Sequence, residues 1–185
     1  MNYADVWDNP VINTQTSENK NRYKRVKRYN SSHPSGYYHK GVDILTGAVY
    51  KELHSLLCGE VVYVKNSFVS NKYASGSLGN IITVKSNDRD GNIIFIMYCH
   101  LDKVHVKKGD KVIHGQDIAL SGSTGNASDQ NEPNGTKNKG IDKEFWHVYI
   151  EAATTYANVA SMGGQSRKEP ELFMKTKFDE NGKAL

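Results

Sequence analysis

Three short segments of the sequence carry the side chains best suited to chemistry. They are HKGVD at 39–43, YCHL at 98–101 and HVYIE at 147–151. Imidazole nitrogens and carboxylate oxygens are good zinc ligands, and a histidine can also move protons at neutral pH. The segments together therefore indicate a metal or acid–base site, provided that the fold brings them to one place.

The first segment places His39 and Asp43 four residues apart, with Gly41 between them. In an extended or gently bent segment, residues at this spacing fall on one face. The glycine would let the backbone bend so that both side chains reach one ion. A surface turn is the alternative interpretation of the segment.

The second and third segments read as strands. His100 would lie at the end of a strand, and His105 and His114 read as surface turn residues. With strand periodicity, His147, Tyr149 and Glu151 point to one face and the intervening apolar residues to the other. A polar row of this kind is unusual for a core, and the alternative is a half-exposed strand with one wet face.

Short apolar runs separated by turn residues predict the elements that position these side chains. The runs lie at 59–66, 79–86, 92–101, 106–122 and 144–152. Asp90-Gly91 between two of them is a hairpin signal, and Gly115 and Gly109-Asp110 divide the fourth run into two short strands. We find no long apolar pattern of helical period, so the sequence predicts an all-β, antiparallel fold, a two-sheet sandwich or half-barrel.

The amino-acid composition indicates which broad classes of protein the chain can belong to. Hydrophobic residues make up 37 % and charged residues 24 % of the 185 residues, which favours a globular domain over disorder. The basic stretch at 20–28 belongs to no recognised nucleic-acid module, so we predict a solvated arm and no nucleic-acid partner. Cys58 and Cys99 are expected to be free thiols, and no apolar run is long enough to span a membrane.

The order of the segments resembles that of the lysostaphin-type zinc endopeptidases. Their motifs run His-x-Gly-x-Asp, Tyr-x-His-Leu, a Gly-rich turn and His-x-His-Phe-Glu, and the run at 106–128 matches the Gly-rich part. The resemblance covers about residues 36 to 175. It implies a fold of the duplicated hybrid motif type, a Zn²⁺ cofactor, His39 and Asp43 as the first two ligands, and His100 as a catalytic histidine.

The last motif departs from the family because this chain has a single histidine there. If Glu151 matches the family's glutamate as a supporting residue, His147 takes the catalytic position and Tyr149 the third ligand position. If His147 is instead the third ligand, the strand slips by two residues. The flanking sequence favours the first alignment, although tyrosine must lose a proton to bind zinc.

The resemblance implies a zinc-dependent endopeptidase that cleaves peptide stems or cross-bridges of bacterial peptidoglycan, as an exported effector or phage-type lysin. The alternative is a degenerate module that binds cell wall or activates another hydrolase. We expect residues 1–35 to form a polar extension that packs on a domain at 36–185.

The expected site of action sets the expected location of the protein. The N-terminus shows no signal-peptide pattern. We therefore expect synthesis in the cytoplasm, non-classical export to the periplasm or beyond, and an immunity or secretion partner.

Overall fold

The computed structural model describes residues 2–13, 39–130, 142–155 and 166–185. Within these ranges the chain forms nine strands and two short 3₁₀ helices, Lys143–Phe145 and Pro170–Phe173. The strands are β1 Val42–Leu45, β2 Glu52–His54, β3 Gly59–Lys65, β4 Asn80–Asn87, β5 Ile93–Val104, β6 Lys111–Val112, β7 Asp117–Ser121, β8 His147–Ala153 and β9 Arg167–Lys168. The predicted all-β class is confirmed. No described helix has the length and apolarity required to cross a membrane.

Every strand pair is antiparallel. The main path of hydrogen-bonded neighbours is β1-β8-β5-β4-β3-β6, with β9 added to β8. Strand β5 is long enough, at 12 residues, to pair with β8 and β4 and also with β7, which in turn pairs with β2. One hydrogen-bonded network therefore joins all the described strands, and it branches at β5 and β8, each of which has three partner strands.

The predicted runs fall on observed strands. The run at 106–122 contains the two short strands β6 and β7, as expected. The Asp90-Gly91 pair lies in the turn of the β4–β5 hairpin, where the Gly91 amide donates to the Asp88 carbonyl at 3.1 Å. Gly91 has a φ of 84°, which glycine adopts without steric cost.

Strand β8 is buried along its whole length. Val148, Ile150 and Ala152 contribute to the main core, whereas Tyr149 belongs to a second, smaller apolar cluster on the opposite face. The period-two alternation is as predicted, but the half-exposed alternative does not hold. The polar side chains of this strand are consequently held away from bulk water.

Residues 2–13 are part of the core. Val6 and Ile12 are fully buried, and Ile12 forms an isolated antiparallel bridge with Ile44 of β1. The rest of the predicted extension, with the basic stretch at 20–28, lies outside the described residues. The division at residues 35 and 36 stays a prediction.

The hydroxyl of Tyr98 offers a test of core packing. Tyr98 is fully buried, and its hydroxyl oxygen accepts a hydrogen bond from the Leu56 amide at 2.9 Å. Tyr98→Phe leaves that amide unsatisfied, so we expect a loss of about 1–3 kcal/mol in the free energy of unfolding, measured by urea denaturation. Tyr50→Phe is the control, because the exposed Tyr50 hydroxyl shares a 3.0 Å hydrogen bond with Ser70 and can exchange it for water. Equal stability of the two variants would contradict the assigned role.

Gly41 offers a test of the contact between β8 and the chain entering β1. A Cβ atom at Gly41 would lie 2.1 Å from the Ile150 carbonyl oxygen and 2.7 Å from the Tyr149 ring. Gly41→Ala forces the backbones apart, so we expect about 1–3 kcal/mol of destabilisation in urea unfolding and a disturbed site beside it. In the control Gly47→Ala, φ is +72° but no atom lies within 4 Å of the new methyl group. Because a side chain at this φ is itself strained, the reference is the wild type, and a Gly41 variant as stable as the wild type would show that the approach tolerates a side chain.

Candidate active site

Strand pairing brings the predicted site residues to one face of the sheet. Tyr149 lies directly opposite Asp43 of β1 on one side and Cys99 of β5 on the other. Residues directly opposite in an antiparallel pair share a face. His147 and Glu151, two residues before and after Tyr149, lie on the same face because strand side chains alternate.

His100 reaches this face through an irregularity in β5. Tyr98 pairs with Ile82 and Leu101 with Asn80, so β5 advances by three residues while β4 advances by two. Bulges of this kind redirect a side chain and occur often beside functional sites. His100 itself has a φ of 63°, a left-handed conformation that is uncommon for residues other than glycine.

The redirected imidazole of His100 packs against the other site rings. Its centroid lies 5.2 Å from that of His147 and 6.3 Å from that of Tyr149. Its Nδ1 atom lies 2.8 Å from the Thr124 carbonyl oxygen. A carbonyl only accepts hydrogen bonds, so Nδ1 carries the proton, and in the neutral ring the Nε2 lone pair is left to act as a base.

The same reasoning sets the tautomer of His147. Its Nδ1 atom lies 2.9 Å from the Phe145 carbonyl oxygen and donates to it, so the neutral ring has its lone pair on Nε2. That Nε2 atom lies 3.5 Å from Asp43 Oδ1, and His39 Nε2 lies 3.6 Å from the same oxygen. An imidazole lone pair and a carboxylate oxygen are both electron-rich. A cation that lies between them stabilises the arrangement.

Buried carboxylates give the site a negative potential. Burial raises the pKa of the Cys99 thiol well above its usual value, and the charges of Glu151 and Asp43 raise it further. The thiol is therefore protonated at neutral pH. Anions are disfavoured in these surroundings, and a cation is favoured.

The hydroxyl of Tyr149 is hydrogen-bonded to the neighbouring carboxylate of Glu151. Its hydroxyl donates a 2.6 Å hydrogen bond to Glu151 Oε1, and Arg167 Nη1 of β9 pairs with Glu151 Oε2. Burial raises the pKa of Tyr149 well above its usual value, with further contributions from the Glu151 charge and from this hydrogen bond. The phenol is therefore protonated and bound to Glu151 in this structure.

The structure adds three observations to the sequence-based expectation, and the ligand set itself stays a prediction. Tyr149 lies opposite Asp43, as the favoured alignment implies, but it is His147 whose ring nitrogen approaches Asp43. Arg167 was not predicted, because its strand β9 has only two residues and shows no recognisable pattern. In the described part of the chain, no group of three or more His, Cys, Asp or Glu side chains is arranged to hold a metal ion.

The remaining described histidines lie away from this cluster. His105 forms a half-exposed pair with Asp117 at 3.0 Å, which agrees with the predicted surface position. His114 contacts Cys58, whose Sγ atom lies 3.2 Å from its Nδ1. Cys58 and Cys99 are both free thiols, as predicted.

Two curated relatives match part of the sequence. Over 61 residues the chain is 43 % identical to the peptidoglycan DD-endopeptidase ShyB and 41 % identical to the peptidoglycan DD-endopeptidase ShyA, both of Vibrio cholerae serotype O1. Each match covers 29 % of this chain and 14 % of the relative. The matched part thus spans about a seventh of the length of either relative.

Solved structures share the fold. The catalytic domain of the prophage-encoded M23 protein EnpA from Enterococcus faecalis, solved as a point mutant, has a TM-score of 0.53 and 19 % identity, over 91 % of this chain and 95 % of that one. The solution structure of lysostaphin has a TM-score of 0.51 and 24 % identity, over 77 % and 46 %. A chain of the SpoIIQ–SpoIIIAH pore-forming complex has a TM-score of 0.53 and 23 % identity, over 94 % and 90 %.

The family model described as Peptidase family M23 matches residues 37–135, slightly more than half of the chain. The match includes His39, Asp43 and His100 and ends before the segment that contains His147. The three matched positions lie together in the site, and the fold is that of the solved M23 structures. The chain therefore belongs to peptidase family M23.

Proposed function

We propose that this domain is a zinc-dependent endopeptidase that cleaves peptide stems or cross-bridges of bacterial peptidoglycan. We assign His39, Asp43 and His147 as the metal ligands and His100 as the general base. Tyr149 and Glu151 then form part of the wall of the site. The favoured alignment gave the third ligand position to Tyr149, and the contacts of its hydroxyl support His147 instead.

The approach of two imidazoles to one carboxylate oxygen carries this proposal. His39 Nε2 and His147 Nε2 lie 3.6 Å and 3.5 Å from Asp43 Oδ1. Donor atoms on a tetrahedral zinc ion with bonds of about 2.0–2.1 Å are roughly 3.3 Å apart. Two imidazole nitrogens and a carboxylate oxygen are also donor types that zinc prefers, and this donor chemistry supports the proposed ligand set.

The roles of the protein side chains follow from their hydrogen bonds. A bound zinc ion would act as a Lewis acid, which lowers the pKa of water and polarises a carbonyl group. Phe145 and Thr124 orient His147 and His100 through their carbonyl oxygens. His100 Nε2 is then the base that accepts a proton from water during attack on a peptide bond and returns it to the leaving amine.

The substrate is assigned from the relatives. ShyA and ShyB are named as peptidoglycan DD-endopeptidases, and this chain matches only a fraction of their length. The negative potential around Asp43 and Glu151 suits a cation and the uncharged peptide group that it polarises. A peptidoglycan peptide is therefore the substrate that we propose.

A second candidate function is that of a non-catalytic module, which binds cell wall or activates another hydrolase. Tyr149 favours it, because this residue stands where the family resemblance implies a histidine and its hydroxyl is committed to Glu151. A chain of similar fold also occurs in the SpoIIQ–SpoIIIAH pore-forming complex. Metal binding separates the two candidates.

Zinc content tests the ligand set. We expect the purified protein to bind about one zinc ion per chain, measured by mass spectrometry of the metal and by competition with a chromogenic chelator. His147→Gln removes one proposed ligand and should lower the affinity by at least about 100-fold. Tyr149→Phe should keep the affinity within about threefold, because its hydroxyl donates to Glu151 and not to the metal.

The control for these variants is His105→Ala, which removes a half-exposed imidazole paired with Asp117 and should leave zinc binding unchanged. Loss of zinc in the Tyr149 variant together with retention in the His147 variant would establish the alternative ligand assignment. Absence of zinc from the wild-type protein in excess metal would favour the non-catalytic module.

Cleavage of purified peptidoglycan tests the base. His100→Asn removes the imidazole but keeps a residue type that tolerates a positive φ. We expect cleavage to slow by about 10²–10⁴-fold while the zinc content stays at one per chain. Released fragments are identified by mass spectrometry, with His105→Ala as the active control. Wild-type activity in the His100→Asn variant would exclude His100 as the base.

A further inference from the structure

A buried row of polar side chains runs from the candidate site toward β9. Tyr149 donates to one oxygen of Glu151, and Arg167 pairs with the other oxygen. The side chains of Glu151 and Arg167 are only 5 % and 8 % exposed. Since both carboxylate oxygens are engaged, the position of Glu151 depends on both neighbours.

The sheet register explains how Arg167 reaches this row. Arg167 lies opposite Ala153 in the β8–β9 ladder, and Ala153 is two residues from Glu151 on the same face. Arg167 is therefore the diagonal neighbour of Glu151, within reach of a long side chain. A buried carboxylate requires such a partner, because an isolated charge is strongly disfavoured away from water.

We propose that Arg167 is a positioning residue that, through Glu151, holds the Tyr149 hydroxyl on Glu151 and so leaves His147 to approach the Asp43 carboxylate. The phenol has one proton to donate, and Glu151 receives it at 2.6 Å. With the hydroxyl fixed, the Tyr149 ring lies 5.1 Å from the His39 ring and 6.3 Å from the His100 ring. The ring thus packs beside both imidazoles.

The expected effect on zinc affinity rests on the proposed function, whereas the restraint of Tyr149 by Glu151 and Arg167 does not. Arg167, Glu151 and Tyr149 all lie beyond residues 37–135, the part of the chain that matches the family model. Tyr149 stands where the family resemblance implies a histidine ligand. The Glu151–Arg167 pair that restrains its side chain lies in the same part of the chain, beyond the family match. In this scheme Arg167 acts on the site through Glu151.

A charge-neutral rescue distinguishes positioning from a general structural role. Arg167→Met leaves the Glu151 carboxylate buried without its cation, so the carboxylate and Tyr149 must rearrange. We expect zinc affinity to fall by about 10–100-fold, as for other residues that orient metal ligands. In the double variant Arg167→Met/Glu151→Gln, the amide oxygen accepts from Tyr149 without needing a cation. We expect its affinity to return to within about threefold of the wild type.

A second readout follows Tyr149 without metal. In protein labelled with 3-fluorotyrosine, the ¹⁹F signal that is lost in Tyr149→Phe reports on this ring. We expect one sharp signal in the wild type and the double variant, and a shifted or split signal in Arg167→Met. Lys168→Met, at the exposed neighbouring position of β9, is the matched control and should change neither readout.

The outcomes separate the two proposals. A zinc-free wild-type protein whose Tyr149 signal still responds to Arg167 would refute the metal site and keep the positioning role. Normal zinc affinity and an unchanged signal in Arg167→Met would overturn the positioning role. A double variant that is as impaired as Arg167→Met would also overturn it, because the effect would then follow from the loss of the ion pair and not from the orientation of Tyr149.

Discussion

The candidate site depends on the position of β8 between β1 and β5. Because β8 hydrogen-bonds on both sides, a single residue, Tyr149, has Asp43 as one neighbour and Cys99 as the other. The strand is buried on both faces, so its register cannot slip by one residue without moving Val148 and Ile150 out of the main core. The packing of apolar side chains on one face therefore sets the spacing of the polar side chains on the other.

His100 shows a different kind of constraint, in which backbone strain places a side chain. In a regular strand, the residue after Cys99 would point to the main core. The bulge and the positive φ turn it to the site face, and such a conformation costs on the order of 1–3 kcal/mol. Two hydrogen bonds offset that cost: the imidazole donates to the Thr124 carbonyl, and the His100 amide donates to the Leu78 carbonyl at 2.9 Å.

Much of the architecture could be predicted from the sequence, because short apolar runs and glycine-containing turns are local signals. The alternation along β8 and the hairpin at Asp90-Gly91 both follow from such signals, and the resemblance brought His39, Asp43 and His100 into one site. The contacts of Tyr149 could not be predicted. They depend on Arg167, which is distant in sequence and lies in a two-residue strand without a recognisable pattern. Motif spacing alone leaves both alignments of His147 open, and the contacts of His147 and Tyr149 are the basis on which we propose His147 as the ligand.

The N-terminal residues have a consequence for how the domain is delimited. The Asn13 amide donates to the Asp43 carbonyl and the Leu45 amide donates to the Val11 carbonyl, so residues 11–13 occupy the outer edge of β1. Without them, the backbone groups of the strand that carries Asp43 would be open to pairing with another chain. A fragment that begins at the family match would thus present an unpaired strand edge beside the Asp43 carboxylate. Aggregation of such a fragment would reflect the place of truncation and not the stability of the intact fold.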